Sequence, residues 1–448
     1  MKVLAVNEYS QDLKKTLGRW DSIAIIIAVV IGSGIFRVPA VVAQYLSSPN
    51  MILLAWLLGG IISLLGALCY AELSTSFPKT GGTYIYLRES YGLWCGFLFG
   101  WTELLVIRAG SIAATAFICA EYLQSFLSIH ESLVKPIAVF IVVVVSSVNM
   151  IGLRYGKKVL DALTITKLLA LAAVIVLGFM SKKGTLSHFS SAPVTFDGGI
   201  FSLLGLALIP ILWTYGGWHE NTFVAGETKN AAKALPFALI VGISVVTVLY
   251  LTMNFLYLYL FPVEKIVDSN LIASDMLQVL WGNNGKKILE ALIIISSLGG
   301  LNAMIITGSR ITYALGKDNA IFRWMGKVDA KQSTPIRAIV INGALAIILV
   351  LLGTFNKLLF FTGVSVWLFF ALATSGLFIL RYKFPNIERP YKVWGYPAIP
   401  AVFILVCTAL FINTIICSPF ESIVGLCLTM TGIPIFIISQ RKKASTRE

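Results

Sequence analysis

The chain has 448 residues, of which 57% are hydrophobic and only 12% are charged, and its mean hydropathy is +0.85. This composition excludes an ordinary soluble globular protein and predicts an all-α integral membrane protein. A net charge of +14 would favour a nucleic-acid partner in a soluble protein, but the positions of the basic residues argue for membrane topology instead.

Apolar runs long enough to cross a bilayer recur along the whole chain. We count twelve, at about 20–46, 51–75, 92–127, 133–151, 158–180, 201–225, 235–261, 288–316, 336–354, 358–381, 398–417 and 420–440. The sequence therefore predicts a single transmembrane domain over residues 1–448, with both termini on the same side of the membrane.

The basic residues lie mostly on that side. Of the 35 lysines and arginines, 25 fall on the side of the termini, seven on the other side and three inside spans. By the positive-inside rule both termini are cytoplasmic, and we expect no nucleic-acid partner. The first apolar run is too long for a cleavable signal peptide and lacks a small-residue cleavage site.

The first span is interrupted in its middle, where two glycines flank Ser33. Irregular backbone inside a bilayer is tolerated only where it lines a cavity or meets a ligand. The N–H groups that start the second half-helix suit a carboxylate, and the carbonyls that end the first half suit an ammonium group, so together they suit an amino acid. The alternative is that the glycines only allow close helix packing.

A second interruption is predicted in the sixth span, where Pro210 precedes Gly216 and Gly217. Interrupted helices at corresponding positions are typical of transporters built from inverted repeats. We therefore predict one repeat over residues 19–180 (helices 1–5), a second over 201–382 (helices 6–10), and helices 11 and 12 over 397–440. A substrate site is expected between the two interruptions.

Several motifs carry a family resemblance. Residues 32–36 with Pro39, and residues 69–73 running into 78–84, resemble the amino acid–polyamine–organocation superfamily. Resemblance to its L-type amino acid transporter branch is carried by residues 101–108, 215–218, 365–369, 380–383 and 389–393. The resemblance implies a LeuT-like fold of twelve transmembrane helices, with a five-plus-five inverted repeat and broken helices 1 and 6.

The resemblance also implies where the substrate binds. Backbone N–H groups and a serine of the first broken helix hold the α-carboxylate, and carbonyls of both broken helices hold the α-ammonium. An aromatic residue at the position of Trp213 gates the substrate. The site residues implied in this sequence are Val30, Ile31, Gly32, Ser33, Gly34 and Ile35, with Trp213, Thr214, Tyr215 and Gly216.

Lys167 lies well inside the fifth span. A lysine at such a position costs about 2.5–3.5 kcal/mol on insertion scales and usually faces a cavity or a partner. The resemblance implies that its ammonium replaces the sodium ion of sodium-coupled carriers, and that Tyr250 communicates with it. Lys167 could instead carry a coupling proton, or extend its ammonium to the membrane interface.

Four further positions carry charged or titratable side chains. Arg37 follows the first interruption where relatives have a small or apolar residue, so it could favour an acidic substrate or extend outward. His219 replaces the asparagine of many L-type members and could add pH sensitivity or be a structural histidine. Glu103 and Arg108 match a family pair that we expect to be structural.

The leading functional hypothesis is a sodium-independent amino acid exchanger that works by alternating access, and the runner-up is a proton-coupled symporter. A non-transporting amino acid sensor would be expected to add a soluble domain, and a membrane enzyme would need a catalytic motif that we do not find. The six cysteines show no metal-binding spacing, so no metal or cofactor is expected. The loop at 128–135 lacks the cysteine that joins eukaryotic members to a heavy chain, which predicts a bacterial inner-membrane carrier without that subunit.

Overall fold

The computed structural model describes residue 15 and residues 17–32, 34–151, 153–190, 200–269, 271–329 and 334–445. These parts of the chain are helical, and their one β contact is an isolated parallel bridge between Leu17 and Thr228. The all-α class predicted from the sequence is confirmed.

The described residues form seventeen α-helices in chain order. They are α1 (Arg19–Val30), α2 (Gly34–Ala43), α3 (Pro49–Ser76), α4 (Thr83–Tyr91), α5 (Leu93–Thr102), α6 (Ala109–Leu127), α7 (Val134–Ile151), α8 (Leu153–Met180), α9 (Ile200–Tyr215), α10 (Ala231–Leu260), α11 (Val263–Val267), α12 (Ile272–Asp318), α13 (Ile336–Leu352), α14 (Phe355–Lys383), α15 (Ala398–Cys417), α16 (Pro419–Met430) and α17 (Gly432–Ser445).

Two segments have other helical geometries. A π-helical segment, Glu103–Arg108, joins α5 to α6, and a 3₁₀ segment, Trp218–Glu227, follows α9. Shorter 3₁₀ turns occur at Glu131–Leu133, Leu186–Ser190 and Ala320–Phe322.

Within the described residues, eight helical stretches are long and apolar enough to cross a membrane, and the count is nine if α1 and α2 form one span. Shorter apolar stretches occur at Thr164–Met180 and Ile336–Leu352. A multi-pass membrane protein is therefore indicated. The count of twelve spans, the repeat boundaries and the LeuT-like topology stay predictions.

Close helix crossings hold the bundle together. α10 runs along α3, α12 along α6, and α14 along α15. Gly60 of α3 faces the side chain of Thr247, and Gly242 of α10 faces Ile26 of α1. Small residues at such crossings let the backbones of two helices approach closely. Such packing matters in a membrane, because the hydrophobic effect does not drive helices together in lipid.

The chain leaves α-helical geometry at both places where the sequence predicts it. α1 ends at Val30 and α2 begins at Gly34, with their axes at 44° to each other. We call residues 31–33 the first interruption. α9 ends at Tyr215 and is followed by Gly216 and Gly217, which we call the second interruption. That each interruption divides a single membrane span stays a prediction.

Candidate functional site

The first interruption frees carbonyl groups at the end of α1. The amide of Gly32 would continue the helix by donating to Ala28, four residues back, but it donates to the carbonyl of Val30 at 2.7 Å. The last carbonyls of a helix need partners from elsewhere, because the helix itself supplies no further N–H groups. The end of α1 therefore depends on donors from outside the helix.

Side chains from two other helices supply those donors. Lys167 Nζ, on α8, donates to the carbonyl of Ala28 at 3.2 Å and also to that of Ile31. Tyr250 Oη, on α10, donates to the carbonyl of Val30 at 2.6 Å. Lys167 is buried. Its ammonium thus lies against the end of α1.

The second interruption satisfies its backbone locally. The amide of Gly216 donates to the carbonyl of Trp213 at 2.9 Å, and the amide of Glu220 donates to that of Gly217 at 3.0 Å. Gly217 has a φ of +97°, in the region that favours glycine. The hydroxyl of Thr214 donates to the carbonyl of Pro210 at 2.8 Å.

The helix ends that adjoin the first interruption pack directly against the second interruption and the end of α9. A Cβ atom added to Gly34 would lie 2.9 Å from Thr214 Cγ2, and one added to Gly217 would clash with Val29. Tyr250 Oη lies 3.3 Å from the carbonyl of Thr214 as well as near Val30, so it connects both interruptions. The sequence-predicted residues on the two segments are therefore brought together.

A cavity of about 830 Å³, with its opening included, lies beside this contact. Its walls come from the two interruptions with the adjoining ends of α1, α2 and α9, from the π-helical and 3₁₀ segments, and from α6, α12 and α14. The predicted site residues that line it are Val30, Gly32, Gly34, Trp213, Thr214, Gly216 and His219. Ser33 lies outside the described residues.

The other predicted residues lie behind the cavity wall. Ile31 and Ile35 are fully buried. The ring of Tyr215 packs against Trp56 and Tyr250, with its hydroxyl donating to the carbonyl of Trp56 at 3.1 Å. Tyr215 is thus directed towards α3, and its side chain does not line the described cavity.

Aromatic and charged side chains connect Trp213 to Arg37. The rings of Trp213 and Phe355 are 5.7 Å apart and nearly perpendicular. The guanidinium of Arg37 lies 5.9 Å from the Phe355 ring centre, and its Nε is 3.5 Å from Glu121 Oε2. Arg37 is therefore already engaged by a carboxylate of α6 in this conformation.

His219 is nine-tenths buried among aromatic rings and lines the cavity. Its closest ring contacts are Phe370 at 4.8 Å, Phe223 at 5.3 Å and Trp218 at 5.5 Å. Nδ1 has no hydrogen-bond partner among the described residues. The same parts of the chain contain no group of three His, Cys, Asp or Glu side chains placed to hold a metal ion.

A buried ion cluster was not anticipated from the sequence. Arg108 contacts Glu103, as expected, but its Nη1 also donates to Glu220 at 2.9 Å, and Thr307 contacts the same carboxylate. We call these four residues the Arg108 cluster. Arg108 and Glu220 line the cavity, so the pair expected to be structural also borders the candidate site.

The sequence does contain a signal for Glu220. An acidic residue three positions after Gly217, inside an apolar span, is costly unless it has a partner. Its partner Arg108 lies 112 residues earlier and could not be assigned from spacing. The pairing of Glu103 with Arg108 reflects the π-helical geometry, which brings residues five apart onto one face.

Comparison with known proteins agrees with this geometry. Residues 17–437 match the family model described as amino acid permease. The human cystine/glutamate transporter is 32% identical over 438 residues, which cover 96% of this chain and 87% of the relative. The serine/threonine exchanger SteT of Bacillus subtilis is 32% identical over 436 residues, covering 97% and 98%. The b(0,+)-type amino acid transporter 1 of mouse is 30% identical over 441 residues, covering 95% and 88%.

These matches confirm the resemblance to the amino acid–polyamine–organocation superfamily and to its L-type branch. They extend over nearly the whole chain, and the family comprises transporters rather than enzymes. The chain therefore belongs to the amino acid permease family and is a multi-pass membrane protein that transports amino acids.

Proposed function

We propose that the chain is a sodium-independent amino acid exchanger that binds its substrate at the two interruptions and works by alternating access. Exchange is supported by the family and by relatives such as the serine/threonine exchanger SteT. The proposed repeats, 19–180 and 201–382, would rock against each other to expose the site to either side.

The substrate's α-carboxylate would bind at the start of α2. The first N–H groups of a helix have no acceptor within it and carry the positive end of its dipole. Those of Gly34 and Ile35 begin α2 here, and we assign Ser33 to the same group. The absence of a side chain on Gly34 leaves backbone accessible at the cavity wall.

The α-ammonium would bind carbonyls near Val30 and Thr214. Both already accept from Tyr250 Oη, at 2.6 and 3.3 Å. Each carbonyl oxygen has two lone pairs and can accept a second hydrogen bond. Trp213, beside Phe355, is proposed as the gate over the bound substrate.

The observation that carries the proposal is the position of Lys167. Its ammonium donates to the carbonyls of Ala28 and Ile31, at the place where unwound carbonyls coordinate a cation in sodium-coupled carriers of this architecture. A covalently attached cation there would make a bound sodium ion unnecessary. Tyr250 completes this arrangement by capping the adjacent carbonyl of Val30.

Topology and partners are proposed together. We propose twelve spans with both termini cytoplasmic, in a bacterial inner membrane, and no disulfide-linked heavy chain. The excess of basic residues on the side of the termini supports this orientation. Cysteine accessibility labelling of single-cysteine variants in intact cells tests it directly.

Uptake of radiolabelled L-serine and L-glutamate into proteoliposomes tests the transport mechanism. We expect uptake only when unlabelled amino acid is present inside, with no effect of sodium or of a proton gradient. Protein-free vesicles and the Gly34→Val variant are the controls. Concentrative uptake into empty vesicles driven by a proton gradient would show a symporter, and binding of either amino acid without flux would show a sensor.

A further inference from the structure

The buried charges beside the cavity are unbalanced. Glu103 and Glu220 share the single guanidinium of Arg108, and the three residues are only 2%, 5% and 2% exposed. With both carboxylates ionised, the Arg108 cluster would carry a net charge of −1. An uncompensated charge in such an environment costs several kcal/mol.

The hydrogen bonds are distributed unequally between the two carboxylates. Glu103 Oε1 accepts from both Nε and Nη2 of Arg108, at 3.0 and 2.6 Å. Glu220 Oε1 accepts from Nη1, at 2.9 Å. Charge-assisted hydrogen bonds favour the ionised form of their acceptor. Both such bonds to Glu103 fall on Oε1, and its Oε2 has no hydrogen-bond partner among the described residues. Arg108 thus gives the Glu103 anion two charge-assisted hydrogen bonds and the Glu220 anion one.

The second oxygen of Glu220 has a partner suited to a proton. Glu220 Oε2 contacts Thr307 Oγ1, and the same hydroxyl is 3.0 Å from the carbonyl of Ala303. A protonated Glu220 can donate to Thr307 while Thr307 donates to Ala303, so every donor has an acceptor. An ionised Glu220 would compete with Ala303 for the single hydroxyl proton of Thr307.

The charged groups around the cluster do not remove the imbalance. His219 neighbours Glu220 on the 3₁₀ segment, and Arg310 of α12 is paired with Glu227 at 3.5 Å. Of the helices packed against the π-helical segment, α5 has no charged residue. On α12, Lys286 pairs with Glu290 at 3.9 Å, and Glu72 of α3, which packs against the 3₁₀ segment, pairs with Arg381 at 2.6 Å. The other charged residues on helices packed against these two segments are Arg19, Asp21, Glu121, Lys233, Asp275, Lys287, Lys317, Asp318, Arg337, Lys357, Lys383 and Glu421.

We infer that the Arg108 cluster is a proton-binding site, with one exchangeable proton held on Glu220 between Arg108 and Thr307 and open to the substrate cavity. Loss of this proton leaves a negative charge at the cavity wall, which repels the substrate carboxylate. The proton site stands on the cluster geometry alone, whereas its effect on exchange rests on the proposed function. Lys167 plays no part in it.

Infrared difference spectra of the purified full-length protein test the proton directly. At neutral pH, Glu220→Gln should lose a protonated-carboxyl absorption without losing a carboxylate band. Glu103→Gln should lose the same absorption, because Glu220 alone then neutralises Arg108 and ionises. The control Glu290→Gln removes another fully buried carboxyl, outside the cluster, and should leave that absorption in place.

The opposite spectral result overturns the inference. If Glu103→Gln and Glu220→Gln each lose only a carboxylate band, both glutamates are ionised and there is no proton site. Thr307→Val provides a second test if a glutamate variant fails to fold. Loss of the Thr307 hydroxyl, the partner of Glu220, should shift the frequency of the protonated-carboxyl absorption. An unshifted absorption would assign the proton elsewhere.

Exchange of L-serine at equal internal and external pH tests the functional consequence. The wild-type rate should fall as pH rises, and Glu103→Gln should show a flat profile, because its cluster is neutral without the proton. Identical profiles in both proteins would refute the link to transport. Absence of exchange in both would instead contradict the proposed function for this substrate and leave the spectral test to decide the proton site.

Discussion

Backbone groups freed at the first and second interruptions need hydrogen-bond partners, and the two interruptions obtain them in different ways. At the first, the freed carbonyls of α1 accept hydrogen bonds from Lys167 and Tyr250, which belong to α8 and α10. At the second, backbone amides bond within the segment, and the neighbouring carboxyl of Glu220 accepts a hydrogen bond from Arg108. The first interruption therefore depends on distant residues, whereas the second depends on its glycines.

The largest effect is expected where the two interruptions touch. Gly34→Val adds side-chain atoms at a position where even a Cβ would lie 2.9 Å from Thr214 Cγ2. It should push the segments apart, cover the start of α2 and reduce L-serine exchange to background in proteoliposomes. Gly300→Ala is the matched control, because its added Cβ would come no closer than 4.0 Å to Ala28. Retained exchange in Gly34→Val would rule out the assigned carboxylate site.

Removal of the Lys167 ammonium from the end of α1 should have the next largest effect. Lys167→Ala leaves two buried carbonyls without a donor, at about 1–3 kcal/mol each. We expect a fall in exchange rate of about 10- to 100-fold at similar expression. Lys183→Ala is the control, since Lys183 also donates to two carbonyls but is exposed, and its loss should have little effect. Equal rates in Lys167→Ala and wild type would show that the ammonium is dispensable.

A smaller effect is expected from the hydroxyl that connects the two interruptions. Tyr250→Phe removes the donor to Val30 but keeps the ring contact with Trp56 at 5.6 Å. The loss of one hydrogen bond, about 1 kcal/mol, should slow exchange about fivefold. Tyr257→Phe, on the same helix, removes only a 3.5 Å contact with the carbonyl of Ile35 and should slow it less. A slower rate in Tyr257→Phe than in Tyr250→Phe would contradict the role assigned to the Tyr250 hydroxyl.

The smallest effect on rate is expected at Arg37. Its partner Glu121 is partly exposed, and such ion pairs contribute about 0–1 kcal/mol. Glu121→Gln should therefore change the rate of L-serine exchange by less than about fivefold. If Arg37 can favour an acidic substrate, the ratio of L-glutamate to L-serine uptake should rise, most at low ionic strength. An unchanged ratio would leave Arg37 with a structural role.

Much of the first interruption could be predicted from the sequence, because its signals are local. Two glycines within an apolar run allow the helix to unwind, and irregular backbone or a lone lysine within a span is costly in lipid unless a site requires it. The position of Lys167 near the end of α1 agrees with that reasoning. The side-chain direction of Tyr215 could not be predicted in this way, since it is set by packing against α3.

The Arg108 cluster shows why the rest could not be predicted. Its ion pair between Arg108 and Glu220 connects residues far apart in the sequence. The pairing of Glu103 with Arg108 is expected from the family resemblance, but the π-helical segment that brings the two residues together has no clear composition signal. The partner of Arg37 is likewise on another helix. The number of membrane spans stays a prediction for another reason. The composition of a short or interrupted apolar helix does not show whether that helix crosses the membrane.

In the proposed mechanism, Lys167 replaces a bound sodium ion at the first interruption. The most direct test measures L-serine exchange in wild type and Lys167→Ala as sodium is replaced by choline at constant ionic strength. We predict a wild-type rate that does not change with sodium, and a slow variant whose rate rises when sodium is present to occupy the vacated position. A wild-type rate that requires sodium would contradict the claim.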